Sequence, residues 1–157
     1  PGTSEKVSKR RATRDVSREP LRLYPPVPMM VRQAQCPERF RDRDVARGAQ
    51  LVISPWHLHR HTRLWDNPDG FDPARWQTEN GKRCARSAYI PFSAGPRVCT
   101  GAGFAMVEGV ALLARLLRDL RVSRVPGRDP VPVAHLTVRA ESGIWLQVDA
   151  RHDGSGR

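Results

Sequence analysis

Apolar positions keep a helical rhythm over only one long stretch of this chain. Across residues 102–120, Phe104, Val107, Val110, Ala111, Ala114, Leu117 and Leu120 recur at i, i+3, i+4 and i+7, the spacing of a single helix face. Glu108, Arg115 and Arg118 fall among the positions left for solvent. The pattern predicts a helix there. Elsewhere the signals are short. Segments 29–36 and 49–56 read as strands joined by a charged turn around Arg47-Gly48, and residues 136–148 alternate as a terminal hairpin turning at Glu141-Ser142-Gly143. Residues 19–28 (EPLRLYPPVP) predict a short helix that stops ahead of Pro25 and Pro26, because the residue before a proline avoids the α region. Pro20 fits only the first turn of such a helix. Residues 60–86 read as an irregular loop, with turn chemistry at Asn67-Pro68-Asp69-Gly70 and Asp72-Pro73. Residues 87–101 are a second loop, punctuated by Gly and Pro. Residues 1–18, almost free of apolar side chains, predict a basic disordered arm, and 152–157 a disordered tail.

Composition narrows the class. The chain has 157 residues, 39% hydrophobic, enough for one modest core. Its 14 prolines argue against an all-helical bundle. No stretch approaches the roughly 18 apolar residues of a membrane-spanning helix, and no secretory signal is seen. The chain therefore reads as cytoplasmic, an anchor ahead of residue 1 lying outside what it reports. A chain that opens on Pro1 and not Met reads as a fragment, a processed product or a mis-called start. The net charge is +11, with Lys+Arg 27 against Asp+Glu 16, which calls for an acidic partner: nucleic acid, a membrane surface or an acidic protein. Three cysteines, Cys36, Cys84 and Cys99, form no CxxC pair. That disfavours a disulfide scaffold or zinc ribbon and fits a reducing compartment.

Cys99 is the residue best placed for chemistry. It stands just ahead of the predicted long helix, in a loop kept non-helical by Gly95 and Pro96. Unpaired amides and the positive dipole end of a helix favour a thiolate, and Arg97 adds positive charge. Such a thiolate would serve as a nucleophile or a soft metal ligand; a buried, inert thiol is the alternative. His57, His59 and His61 alternate, so a strand would present them on one face as metal ligands. No carboxylate or Cys stands at a helpful spacing beside them. Trp56, Trp65, Trp76 and Trp145 read as packing residues, and Cys36 and Cys84 as free thiols.

Residues 92–101, FSAGPRVCTG, match F-x-x-G-x-R-x-C-x-G at every fixed position. This resembles the haem-binding loop of the cytochrome P450 family. Two further motifs stand in the family's order: Glu19-Pro20-Leu21-Arg22 as E-x-x-R, followed by Leu23-Tyr24-Pro25-Pro26, and Phe71-Asp72-Pro73-Ala74-Arg75-Trp76 as the meander. Glu19 and Arg22, three apart, share a helix face. Pro20 inside E-x-x-R and Ser93 in place of a more common glycine depart from the usual pattern. The resemblance covers about residues 19–151.

The resemblance implies the C-terminal portion of an α+β, mainly helical fold: a short E-x-x-R helix, short β pairs, the meander, the Cys loop, a long helix and a terminal β hairpin. It implies haem b, with Cys99 as catalytic residue and axial iron ligand. Phe92, Gly95 and Gly101 would shape the loop, and Arg97 and Arg32 would meet the haem propionates. Glu19, Arg22 and Arg75 would form a structural network, with His59-Arg60 in a haem-side segment. The implied activity is insertion of one oxygen atom from O2 into a small organic substrate. Electrons would come from an acidic redox partner: ferredoxin-like, flavodoxin-like or a flavin reductase. No nucleic acid is then expected. The family's oxygen-activating helix has no counterpart in residues 1–18, so this chain alone is expected to be inactive. Two other readings stand beside this one: a truncated, catalytically incompetent remnant, and a basic nucleic-acid-binding module whose binding would depend on salt without any haem.

Overall fold

The computed structural model describes the backbone of residues 3–151 and the side chains of residues 11–151. The chain opens with helix α1, Thr3–Leu23. Its buried positions are Asp15, Glu19, Arg22 and Leu23, a stripe at helical spacing made almost entirely of charged residues. Residues 3–18, expected as a disordered arm, are thus the first part of α1, and the E-x-x-R helix is long. The 152–157 tail lies outside the described residues. Pro20 sits near the end of α1 and not in its first turn. A proline that late removes one ladder bond, and the helix still closes with the Tyr24 amide donating to the Pro20 carbonyl at 2.6 Å. It ends at Leu23, ahead of the two prolines.

Strand β1 (Met30–Gln33) pairs antiparallel with β4 (Gln50–Ile53). Between them, where a simple charged turn was expected, β2 (Glu38–Phe40) and β3 (Arg43–Val45) form a small exposed hairpin. Ser54 caps the one-turn helix α2, Pro55–Leu58, by accepting from the His57 amide. The segment expected to be one irregular loop contains a 3-10 turn, Pro73–Gln77, and helix α3, Glu79–Ser87. Thr78 caps α3 by accepting from the Gly81 amide. The face α3 buries holds Gly81, Cys84 and, just past its end, Ala88, residues too small to register as an amphipathic stripe. A β-carbon at Gly81 would lie 1.8 Å from the Arg75 carbonyl oxygen, so glycine is what lets α3 seat on the preceding turn. Trp65, Trp76, Cys84 and Ala88 form the apolar core, with Leu58, Leu64, Ala85 and Tyr89 packed around it.

Helix α4 runs Ala102–Asp119, as its periodicity predicts. It packs on α1, and its half-buried positions are Ala102, Met106, Val110 and Leu113. Of the predicted stripe, Phe104, Val107, Ala111, Ala114 and Leu117 are exposed. The helix is apolar on more than one side, and most of the predicted stripe is not the half-buried side. Beyond α4, β5 (Leu120–Arg124) pairs with β8 (Leu146–Ala150), and β6 (Pro132–Ala134) with β7 (Val138–Ala140), both antiparallel. The expected terminal hairpin is therefore corrected. The chain does turn after β7, but the strands on either side belong to two separate sheets, because each finds its partner earlier in sequence. The class is α+β with short two-stranded sheets.

Candidate functional site

The most heavily buried chemistry is a charged cluster. Glu19 and Arg22 are fully buried and Arg75 nearly so. Glu19 Oε1 accepts from Arg22 Nη2 at 2.8 Å, Arg75 Nε at 2.8 Å and the Asp72 amide at 3.1 Å. Its Oε2 accepts from Arg22 Nε at 3.2 Å. Each guanidinium also donates to three backbone carbonyls. Arg22 donates to His59, Pro68 and Gly70, and Arg75 to Asp66, Asn67 and Gly70. One carboxylate and two guanidiniums leave a net positive charge out of water. The carbonyls of 66–70, whose residues sequence reading recognised only as turn formers, solvate it. The cluster joins α1, the turn after α2 and the meander at a single point.

His59 is fully buried beside it. Burial holds its imidazole well below the usual histidine range, at about 4, with the neighbouring Arg22 and Arg60 charges acting in the same direction. Its Nδ1 lies 3.1 Å from the Arg22 carbonyl and its Nε2 2.9 Å from the Ile90 amide. His57 and His61 are exposed, so the three histidines do not share a face. Among the described residues no group of His, Cys, Asp or Glu is placed to hold a metal ion. Trp65 and Trp76 serve in the core and Trp56 stacks under Arg60, 3.8 Å from the ring centroid. Trp145 is exposed, with Arg128 4.6 Å over its ring.

The Cys99 loop begins where the core ends. Tyr89 donates its hydroxyl to the Arg18 carbonyl at 3.1 Å. Phe92 is half-buried, and its carbonyl accepts from the Cys99 amide at 2.8 Å, closing the loop on itself. Ser93 and Gly95 both take left-handed backbone, with φ of 67° and 68°, a conformation costly for any residue but glycine. The Ser93 hydroxyl accepts from Arg32 Nη2 at 2.9 Å, tying β1 to the loop. A 3-10 turn at Gly95–Arg97 leads to Cys99, which is exposed and not the buried, inert thiol of the alternative reading. A β-carbon at Gly101 would stand 3.8 Å from the Cys99 sulfur, and one at Gly95 would meet nothing within 4 Å. The space over the loop is open. Arg97 is exposed and has no side-chain partner among the described residues.

An accessible thiol at a helix start, with no other donor group among the described residues to complete a metal site, suits a metal whose other positions a macrocycle fills. The residues present therefore fit haem. A family model for cytochrome P450 matches residues 2–148. The chain belongs to the cytochrome P450 family. It is 38% identical over 141 residues to cytochrome P450 4B1 from Homo sapiens, a match covering 89% of this chain and 28% of that protein. It is 34% identical over 154 residues to cytochrome P450 4V2 from Rattus norvegicus, covering 98% of this chain and 29% of the other. Among solved structures, a cytochrome P450 (CYP102L1) superposes with a TM-score of 0.83 at 28% identity, covering 94% of this chain and 33% of that one. Retinoic acid-bound cyanobacterial CYP120A1 gives 0.85 at 24% identity, covering 96% and 35%, a likeness of fold. The chain thus spans about three-tenths of the length of these P450 relatives. No helix among the described residues is long and apolar enough to cross a membrane.

Proposed function

We propose that this chain is the haem-ligating portion of a cytochrome P450 monooxygenase, with Cys99 as the axial thiolate. The observation that carries the reading is the Cys99 loop itself: an exposed sulfur at the head of α4, closed by the Phe92 carbonyl and left open above. The group it would hold is haem b, which when bound supplies activation of O2 for insertion of one oxygen atom into a small organic substrate. The chain's own residues do the rest. Cys99 stands exposed just ahead of α4, with its sulfur free to reach a bound iron. Gly101 keeps the backbone close to the sulfur without crowding it, and Gly95 turns the loop. Phe92 would shape the loop, closing it through its carbonyl. Arg97 and Arg32 offer planar donor forks suited to the two propionates; the first is unengaged and the second is held by Ser93. Glu19, Arg22 and Arg75 fix the meander against α1, and so the frame from which the loop springs.

Electrons would arrive from an acidic redox protein of ferredoxin, flavodoxin or flavin-reductase type. Exposed Arg63, Lys82, Arg83 and Arg86, around α3, supply complementary charge. The test is spectroscopic. The purified chain is loaded with haem, reduced and exposed to carbon monoxide. A strongly red-shifted Soret band of the thiolate type is expected, and Cys99→Ala should lack it. The same band in Cys99→Ala, or a histidine-type band in the parent, would overturn the assignment.

A further inference from the structure

The buried imidazole of His59 is engaged at both ring nitrogens. The Ile90 amide can only donate, so Nε2, 2.9 Å away, accepts. The Arg22 carbonyl can only accept, so Nδ1, 3.1 Å away, carries the proton. The ring is therefore the neutral Nδ1–H tautomer. Arg22 returns the contact, donating from Nη1 to the His59 carbonyl at 2.9 Å. Tyr89 lies against the imidazole with ring centroids 5.4 Å apart.

Among the described residues, these contacts join two places that no backbone–backbone hydrogen bond connects. One is the last turn of α1, where Arg22 holds the charged cluster. The other is Ile90, where the chain leaves the core and enters the Cys99 loop; two residues later Phe92 accepts the Cys99 amide at 2.8 Å. We propose that His59 is a positioning residue that clamps Ile90 to the end of α1 and thereby holds the Cys99 loop to the Glu19–Arg22–Arg75 cluster. An apolar residue of similar size would fill the space but leave both the Ile90 amide and the Arg22 carbonyl without a partner. The consequence at the iron rests on the haem-thiolate reading; the clamp itself does not.

The test uses the full chain and two variants, His59→Phe and His59→Gln. The glutamine carbonyl reaches toward the Nε2 position and restores an acceptor for Ile90. Amide hydrogen exchange at Ile90 and Cys99 is expected to quicken about tenfold or more in His59→Phe, with the β5–β8 ladder unchanged, and to return toward the parent rate in His59→Gln. In the haem-loaded, CO-bound protein, His59→Phe should shift part of the thiolate-type Soret band to the thiol-type position at equal haem content, and His59→Gln should shift it back. A role in packing alone would lower haem retention without changing the ligand signature of the haem retained. Parent-like exchange at Ile90 and Cys99 in His59→Phe, or equal acceleration in both variants, would overturn the clamp. If His59→Phe does not fold, His59→Gln decides alone: near-parent exchange supports the clamp and wholesale loss of protection refutes it. A parent chain without a thiolate band would sink the haem reading, while the exchange rates would still judge His59.

Discussion

Replacing Glu19 by Gln tests whether the charged cluster holds this fold together. The substitution keeps the volume and one carbonyl oxygen. It removes the negative charge and turns the other oxygen into an NH2 donor. Whichever way the amide is oriented, at least one guanidinium hydrogen then faces a donor, because both Glu19 oxygens accept from Arg22, at 2.8 Å and 3.2 Å. Arg22 and Arg75 keep their three backbone carbonyls each, so little of their hydrogen bonding is lost. What changes is charge: two guanidiniums, with side-chain exposures of 0% and 6%, remain out of water without a counter-ion. Removing one partner of a buried pair costs about 3–5 kcal/mol. The Arg39–Asp44 pair provides the control. Its separation, 2.9 Å, is nearly the same, but its side chains are 66% and 81% exposed, and exposed pairs contribute about 0.2–1 kcal/mol. Urea unfolding followed by the fluorescence of buried Trp65 and Trp76 reads both variants. Glu19→Gln should lose several-fold more stability than Asp44→Asn. A typical domain holds only about 5–15 kcal/mol in all, so the midpoint shift should be large. A loss below about 1 kcal/mol, or one no greater than that of Asp44→Asn, would refute the idea that burial sets the worth of this cluster.

Acid should unfold the chain partly through His59. The unfolded imidazole takes up its proton near 6.5 and the folded one only near 4, so stability is intact above the first value and falls as pH drops toward the second, by about 3 kcal/mol. His59→Gln should flatten that part of a stability-versus-pH curve, and an unchanged slope would count against the assignment. Gly81→Ala should destabilise by about 2 kcal/mol, because the clash with the Arg75 carbonyl outweighs the roughly 1 kcal/mol gained in helix propensity. Gly109→Ala in α4, with nothing within 4 Å, should gain up to about 1 kcal/mol. Opposite shifts in melting temperature are the expected result, and equal ones would contradict the packing at Gly81. Ser93→Gly should change stability by less than about 1 kcal/mol, since relief of left-handed strain offsets the lost Arg32 hydrogen bond. A fall in melting temperature corresponding to more than about 2 kcal/mol would show that the Arg32 contact dominates.

What the sequence concealed has a common physical cause. Hydrophobic periodicity detects elements that bury apolar faces. Helix α4 carries such a rhythm and was legible in extent, although its half-buried positions, Ala102, Met106, Val110 and Leu113, share only Val110 with the more conspicuous stripe. Helix α1 buries Asp15, Glu19 and Arg22. Its periodicity is helical but written in charges, so residues 3–18 look like a solvated arm. Helix α3 buries a glycine, a cysteine and an alanine at its edge, too little apolar area to register. The last strands have a clear alternation and a plausible turn, yet β7 pairs with β6 and β8 with β5, partners ahead of residue 136 that the alternation within 136–148 does not reveal.

The candidate site divides along the same line. The Cys99 loop was legible because its chemistry is local: glycine, cysteine and the helix start lie within ten residues, and the chain geometry follows from them. The role of His59 depends on Arg22 and Ile90, which only the folded chain brings to its two ring nitrogens. Alternation with His57 and His61 pointed instead to a shared face. The carbonyls of 66–70 carried no signal at all, since every residue has one. This matters for how the loop is held. The apolar core is small, four buried residues with four more around them, and α4 has no buried residue. Apolar contact is non-directional and tolerates sliding, whereas a carboxylate bound by two guanidinium forks, and an imidazole bound at both nitrogens, allow one arrangement. If the Cys99 loop holds haem as proposed, these directional contacts would set its placement, and substitutions at Glu19, Arg22, Arg75 or His59 should disturb the thiolate signature before equal-volume changes in the Trp65–Trp76 core do.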